Sequence, residues 1–195
     1  MNLDLGDTRL IMAEAKRYGC LRNQLAYILA TARWETAQTM KPVVEAYWLS
    51  EKWRSENLRY YPWHGRGFAQ LTWQRNYIKA GQELDLDLTS NPDVVLEPEI
   101  AAKILVAGSM EGWFTGKSIP DYITLQRSDF VGARRVINGT DKAQTIARIA
   151  ERYDAALQAE GYGEEPTAPP ATEIPGKPSL WAAIVAALQS IFGRK

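Results

Sequence analysis

The chain has 195 residues, 46% of them hydrophobic, which is enough for one sizeable core with appendages. Its 23 basic and 23 acidic residues cancel, so there is no electrostatic footprint for nucleic acid, and no nucleic-acid partner is expected. One cysteine, Cys20, and one histidine, His64, leave neither a disulfide framework nor a Cys/His zinc cluster, and no metal or cofactor is expected.

Met1 to Asp7 has no basic segment followed by an apolar one and does not read as a secretory signal. Asp7 is placed to cap a first helix over Thr8–Tyr18, which Gly19 stops. A central helix then starts at Arg22 or Asn23 and ends near Thr36-Ala37. Leu21, Leu25, Ile28, Leu29 and Ala32 recur at helical spacing on one stripe facing a core. At about 100° per residue, Glu35 falls roughly 40° to one side of Leu21, at the edge of the buried face. A carboxyl there is partly desolvated, which suits a general acid. Equally, it is a helix-end glutamate paired with Arg33 or with a distant arginine.

Pro42 breaks any continuing helix, and an extended or irregular segment follows. Glu45 comes ten residues after Glu35, across this bend, and the two can face one another over a groove. Glu51 and Glu56 compete with it, from a polar stretch, Ser50 to Arg59, that reads as a mobile loop over a cleft. A Cys20/His64 dyad has no nucleophile motif around it. The glycines of His64-Gly65-Arg66-Gly67 suit a turn, after which Phe68, Gln70 and Thr72 alternate with Ala69, Leu71 and Trp73 as on a short strand. Gln70 and Thr72 then share a face, and amides and hydroxyls beside a carboxylate pair suit a neutral, hydroxyl-rich polymer.

Asn91-Pro92-Asp93 is a turn, and a helix over about Pro98 to Glu111 opens with proline and acidic residues in its first turn. Gly112, Gly116 and Pro120 mark a loop carrying Trp113, Phe114 and Lys117. Ser128-Asp129 is placed to cap a helix ending at Asn138-Gly139, and Asp141 to cap a last long helix with Ile146, Ile149, Tyr153 and Leu157 on one stripe.

The composition then changes. Five of the ten prolines fall between Glu164 and Pro178, an extended linker. Past it, Trp181, Ile184, Val185, Leu188 and Phe192 form one apolar face of a segment shorter than the ~20 residues that span a bilayer. An interfacial helix is expected there, with a membrane as its partner; the alternative is that it folds back onto the catalytic domain or self-associates. The division is thus 1–162 as a catalytic domain, 163–178 as linker and 179–195 as a C-terminal amphipathic helix.

Arg33-Trp34-Glu35-Thr36-Ala37 resembles the His-Glu-Thr segment of glycoside hydrolase family 19. Gly65-Arg66-Gly67-Phe68-Ala69-Gln70-Leu71-Thr72 resembles its Gly-Arg-Gly-x-x-Gln-Leu-Ser/Thr segment, with Asn76-Tyr77 closing it. Asn91-Pro92-Asp93 and Val136-Ile137-Asn138-Gly139 resemble two further segments in the same order. The likeness runs from about Leu21 to Tyr153 and is strongest to short phage and prophage endolysins, which cut bacterial peptidoglycan.

The resemblance implies that Glu35 is the general acid and Glu45 the general base. It gives Thr72 a part in holding the attacking water, and Gln70, Asn76 and Asn138 a part in contacting sugar. Arg66 and Tyr47 complete the candidate substrate-binding set. It further implies an inverting hydrolysis of β-1,4-glycosidic bonds, with carboxyls about 6.5–9.5 Å apart. The partner is then the peptidoglycan glycan, and the protein a monomer made in the host cytoplasm and released to the wall through a holin lesion. A chitinase and a non-catalytic glycan-binding or membrane-active protein are the alternatives. Trp34 departs from the family's usual histidine, and the segment between Glu45 and His64 does not follow the plant pattern. The fold expected is mainly α, a lysozyme-like α+β arrangement of two lobes with a small β element near Gly65 to Trp73.

Overall fold

The computed structural model describes residues 1–163; the linker and C-terminal helix expected beyond Gly163 lie outside the described residues. Among the described residues the fold is mainly α: six α-helices and one two-stranded sheet. They are α1 (Thr8–Tyr18), α2 (Arg22–Glu35), β1 (Val43–Val44), α3 (Glu51–Asn57), β2 (Arg66–Gly67), α4 (Gln74–Leu84), α5 (Pro98–Glu111) and α6 (Ala143–Ala159).

Helix α2 is the centre. The apolar stripe is fully buried at Leu25, Ile28, Leu29 and Ala32, but burial continues around the helix at Ala26, Tyr27 and Ala30. Small alanines on the second face let neighbours approach closely, so α2 is enclosed by α6, α1 and α5 rather than resting on one of them. Gly19 ends α1 in the left-handed region, and its amide bonds back to the last turn. Asp7 does not cap α1 through its side chain; its amide donates to the Met40 carbonyl at 2.8 Å.

That bond also anchors the chain beyond Glu35. Thr36 Oγ1 donates to the Ala32 carbonyl at 2.7 Å and accepts from the Met40 amide at 3.1 Å, and Met40 is wholly buried. The chain is thereby turned off the end of α2 and led into β1. Val43 and Val44 pair antiparallel with Gly67 and Arg66, which brings Glu45, just past β1, to the Gly-Arg-Gly turn.

Four local expectations are corrected. The strand over Phe68–Trp73 is absent, because Gln70 adopts a left-handed φ of 51° and Arg66 and Leu71 exchange backbone hydrogen bonds around a tight turn. Ser50 to Arg59 is not a loop but largely helix α3: Ser50 Oγ accepts from the Trp53 amide at 3.1 Å and Glu51 stands in the first turn. The helix expected after Asp129 is only a 3-10 turn over Gly132–Val136, although Asp129 Oδ1 accepts from the Gly132 amide at 2.7 Å as a cap would. Asp141 does not cap α6, which is preceded by Lys142 in the left-handed region.

Two apolar clusters result. The larger surrounds α2; the smaller gathers Leu71, Tyr77, Ala80, Leu88, Val95, Ile104 and Trp113 around α4 and α5. Trp34, beside Glu35, packs on the larger one. Among the described residues no helix is long and apolar enough to cross a membrane.

Candidate active site

A cleft of about 570 Å³ is lined by the end of α2, the segment after β1, Arg59-Tyr60, residues 69–73, the start of α4, Phe114-Thr115 and residues 137–139. Six of the sequence-derived candidates meet in it: Glu35, Glu45, Gln70, Thr72, Asn76 and Asn138. Among the described residues, Glu35 and Glu45 are the two carboxylates of the lining.

Glu35 closes α2 and is about five-sixths buried; its Oε1 accepts from Arg134 Nη1 at 2.8 Å. The arginine is more deeply enclosed still, with 4% of its side chain exposed, and its Nε donates to the Asp141 carbonyl at 3.1 Å. The two sequence readings of Glu35 therefore hold together: it lines a cleft and it pairs with a distant arginine. Arg134 escaped the sequence reading. The available signal was an arginine on the turn leading into Val136-Ile137-Asn138-Gly139, at a position that an amphipathic helix would have put in the core.

Both oxygens of Glu45 are held. Oε1 accepts from the Tyr60 hydroxyl at 2.7 Å and Oε2 from the Gly65 amide at 2.8 Å. Burial, and then the neighbouring Glu45 carboxylate, push the Tyr60 hydroxyl up to about 12, so it stays a protonated donor. Gly65 is required by contact: a Cβ there would lie 2.7 Å from Gln70 Oε1 and 3.2 Å from the Glu45 side chain. Gly67 is required by conformation, with φ at +79°.

The polar wall is tied to its own backbone. Gln70 Nε2 donates to the Val43 carbonyl at 3.0 Å, Thr72 Oγ1 to the Gln70 carbonyl at 2.7 Å and Asn76 Nδ2 to the Thr72 carbonyl at 2.8 Å. These bonds leave the oxygen lone pairs of Thr72 and Asn76 as the acceptors offered to a ligand. Asn138 is exposed on the other side of the turn, its Oδ1 accepting from the Gly139 amide at 2.8 Å.

Arg66 and Tyr47 are set apart from this group. Arg66 is 5% exposed, pairs with Asp93 at 2.8 Å and donates to the Pro62 and His64 carbonyls, so it braces the glycine turn instead of lining the cleft. Asn91-Pro92-Asp93 thus serves Arg66. Tyr47 is 54% exposed and packs edge-on against Trp48. Glu51 pairs with Arg54 at 2.8 Å, which holds its carboxyl below the usual range, and Glu56 approaches Lys52; neither lines the cleft. His64 is buried and stacked on Tyr61, with burial lowering its proton affinity, while burial pushes the Cys20 thiol up to about 12. Neither lines the cleft. Sequence reasoning did not assign Arg59, Tyr60, Trp73, Arg75 or Thr115 to the site.

Over 103 residues, 48% of the chain, it is 36% identical to an acidic endochitinase of Dioscorea japonica, and over 125 residues, 53% of the chain, 41% identical to Chitinase 11 of Oryza sativa subsp. japonica. The chain is similar to plant chitinases. The matches take in 39% and 48% of those two proteins, so the chain spans less than half the length of either. A third relative, 40% identical over 67 residues, is an inactive chitinase-like protein of Hevea brasiliensis. No family model matches the chain.

Proposed function

We propose that the protein is an endolysin that hydrolyses β-1,4-glycosidic bonds of bacterial peptidoglycan with inversion, Glu35 acting as general acid and Glu45 as general base. The observation that carries the reading is the company the carboxylates keep. Of the four glutamates that sequence offered, Glu35 and Glu45 alone line the cleft, together with Gln70, Thr72, Asn76 and Asn138. Glu35 passes its proton to the oxygen of the leaving sugar. A water, its proton taken by Glu45, attacks the anomeric carbon from the opposite face as the bond to the leaving oxygen breaks. The Tyr60 and Gly65 donors fix the Glu45 rotamer and leave its other lone pairs for that water.

Peptidoglycan is preferred because the ordered motifs resemble phage endolysins most. In the same reading the enzyme is made in a host cytoplasm, reaches the wall through a holin lesion, and uses 179–195 at a membrane. A chitinase is the second reading, favoured by the names of the relatives.

The test is clearing of purified peptidoglycan by the wild type, Glu35→Gln and Glu45→Gln, with products identified by mass, reducing ends and anomeric configuration. Either variant should lose about 100-fold or more, as expected for removing a general acid or base. Full activity of Glu35→Gln would refute the mechanism, and release from N-acetylglucosamine oligomers alone would establish the chitinase.

A further inference from the structure

We infer that Arg59 and Arg75 form a carboxylate-recognition pair beside Trp73, selecting a glycan that bears acidic substituents over a neutral one. The inference rests on the reading of this cleft as a glycan site and names what distinguishes its substrate.

Three observations carry it. First, the other arginines near the site are spent: Arg54 pairs with Glu51, Arg66 with Asp93 and Arg134 with Glu35. Arg59 and Arg75 both line the cleft, and among the described residues neither has a carboxylate partner or a side-chain hydrogen bond. Nor do they neutralise the carboxylates of the lining, because Glu35 already has Arg134, and Glu45 has Tyr60 and Gly65.

Second, Arg59 is held in place. Its guanidinium lies 5.0 Å from the centre of the Trp73 ring, and the Tyr60 ring meets the same indole with centroids 5.0 Å apart. Third, Trp73 itself is fixed by its backbone, at a φ of 75° that non-glycine residues rarely adopt, with its amide donating to the Trp63 carbonyl at 2.9 Å. Trp73, Gln74 and Arg75 line an adjoining hollow of about 280 Å³, so the second guanidinium stands by space for a substituent outside the main cleft.

A planar guanidinium presents a fork of donors that matches a carboxylate, and pre-ordering on an aromatic ring lowers the entropy lost on binding. A neutral amino-sugar polymer offers such a fork only hydroxyls and amides. The matching class is an amino-sugar polymer with carboxylates on its side groups, either the lactyl ether or the stem peptide of peptidoglycan.

The test compares kcat and KM of wild type, Arg59→Gln, Arg75→Gln and the double variant on four substrates. These are intact peptidoglycan, peptidoglycan stripped of stems by an amidase to free the lactyl carboxylates, peptidoglycan whose carboxylates have been amidated, and N-acetylglucosamine oligomers. The double variant should lose about tenfold more on intact peptidoglycan than on the neutral oligomers, the loss falling mainly on KM, as for removal of a charge-assisted contact. Amidation should abolish the difference. A selective loss on intact peptidoglycan that disappears on stripped strands identifies the stem-peptide carboxylates, and one that persists there shows that the pair also accepts the lactyl carboxylate freed by removal of the stem.

Wild-type cleavage of peptidoglycan with equal losses on acidic and neutral substrates, or with no loss on either, overturns this inference and leaves the proposed function standing. Wild-type cleavage of neutral oligomers alone, or of nothing, overturns both.

Discussion

Arg134 and Glu35, 99 residues apart in the chain, meet at 2.8 Å where the end of α2 opens into the cleft. The guanidinium is almost wholly enclosed, whereas the carboxyl keeps 17% of its surface. Arg134→Ala strands a largely buried carboxyl and opens a void beside it. A loss of about 3 kcal/mol is expected, at the low end for breaking a buried pair because Glu35 retains some solvent. Activity should fall about 100-fold as the proposed acid loses its fixed direction. Arg134→Lys keeps the charge but not the second arm to the Asp141 carbonyl, and should recover part of both. Denaturant unfolding beside oligosaccharide turnover separates the two effects: turnover at the wild-type level in folded Arg134→Ala would show that the arginine does not position the acid.

The Glu45 cradle makes a narrower prediction. Tyr60→Phe deletes one donor, 2.7 Å from Oε1, with the ring and its contact to Trp73 retained. Stability should change by no more than about 1.5 kcal/mol, while kcat falls about tenfold through looser placement of the proposed base. Gly65→Ala pushes a methyl against Gln70 and Glu45 and should cost more activity than Tyr60→Phe. The measurement is kcat at saturating substrate with the melting temperature of each variant. An unchanged kcat in Tyr60→Phe would remove the hydroxyl from the mechanism.

Helices α1, α2 and α5 were legible because each is bounded by strong local chemistry: Gly19 in the left-handed region, proline at the first turn of α5, and a run of apolar residues at helical spacing in α2. The cleft was legible where a residue belonged to an ordered motif. The features that escaped reading depend on pairing across the chain. Nothing local to Arg134 says that it meets Glu35, and Arg66 reads like a ligand-facing arginine until Asp93 and the carbonyls of Pro62 and His64 are brought around it. Alternation puts Gln70 and Thr72 on one face of a strand; both line the cleft, but by way of a turn that alternation cannot encode. Ser50 and Glu51 carried a capping signal that the polarity of the next residues obscured.

Gly67 offers a test of the turn that supports the site. Its φ of +79° is open to glycine at little cost, and an added Cβ would stand 3.0 Å from the Val95 carbonyl. Gly67→Ala should therefore destabilise by about 1–2 kcal/mol, or roughly 3–6 °C in melting temperature for a domain of this size. Calorimetry checks it. A variant as stable as wild type would mean that the turn between β2 and Leu71 relaxes at no cost.

His64 makes stability depend on pH in a defined direction. It is the only histidine of the chain, it is wholly buried, and neither ring nitrogen has a hydrogen-bond partner among the described residues. Burial first, and then the Arg66 guanidinium, lower its proton affinity in the folded state below the ordinary 6.5. Above that value the ring is neutral whether folded or unfolded, and stability is at its full level. As pH falls below it, the unfolded chain takes up a proton that the folded ring resists, so stability declines until pH reaches the lowered folded value. His64→Phe, which keeps a flat ring to stack on Tyr61, should remove the decline in that window and leave the acid unfolding due to carboxylates at lower pH. Urea unfolding of both proteins at pH values on either side of 6.5 is the measurement. The same loss between those values in both proteins would mean that His64 is not the group that titrates.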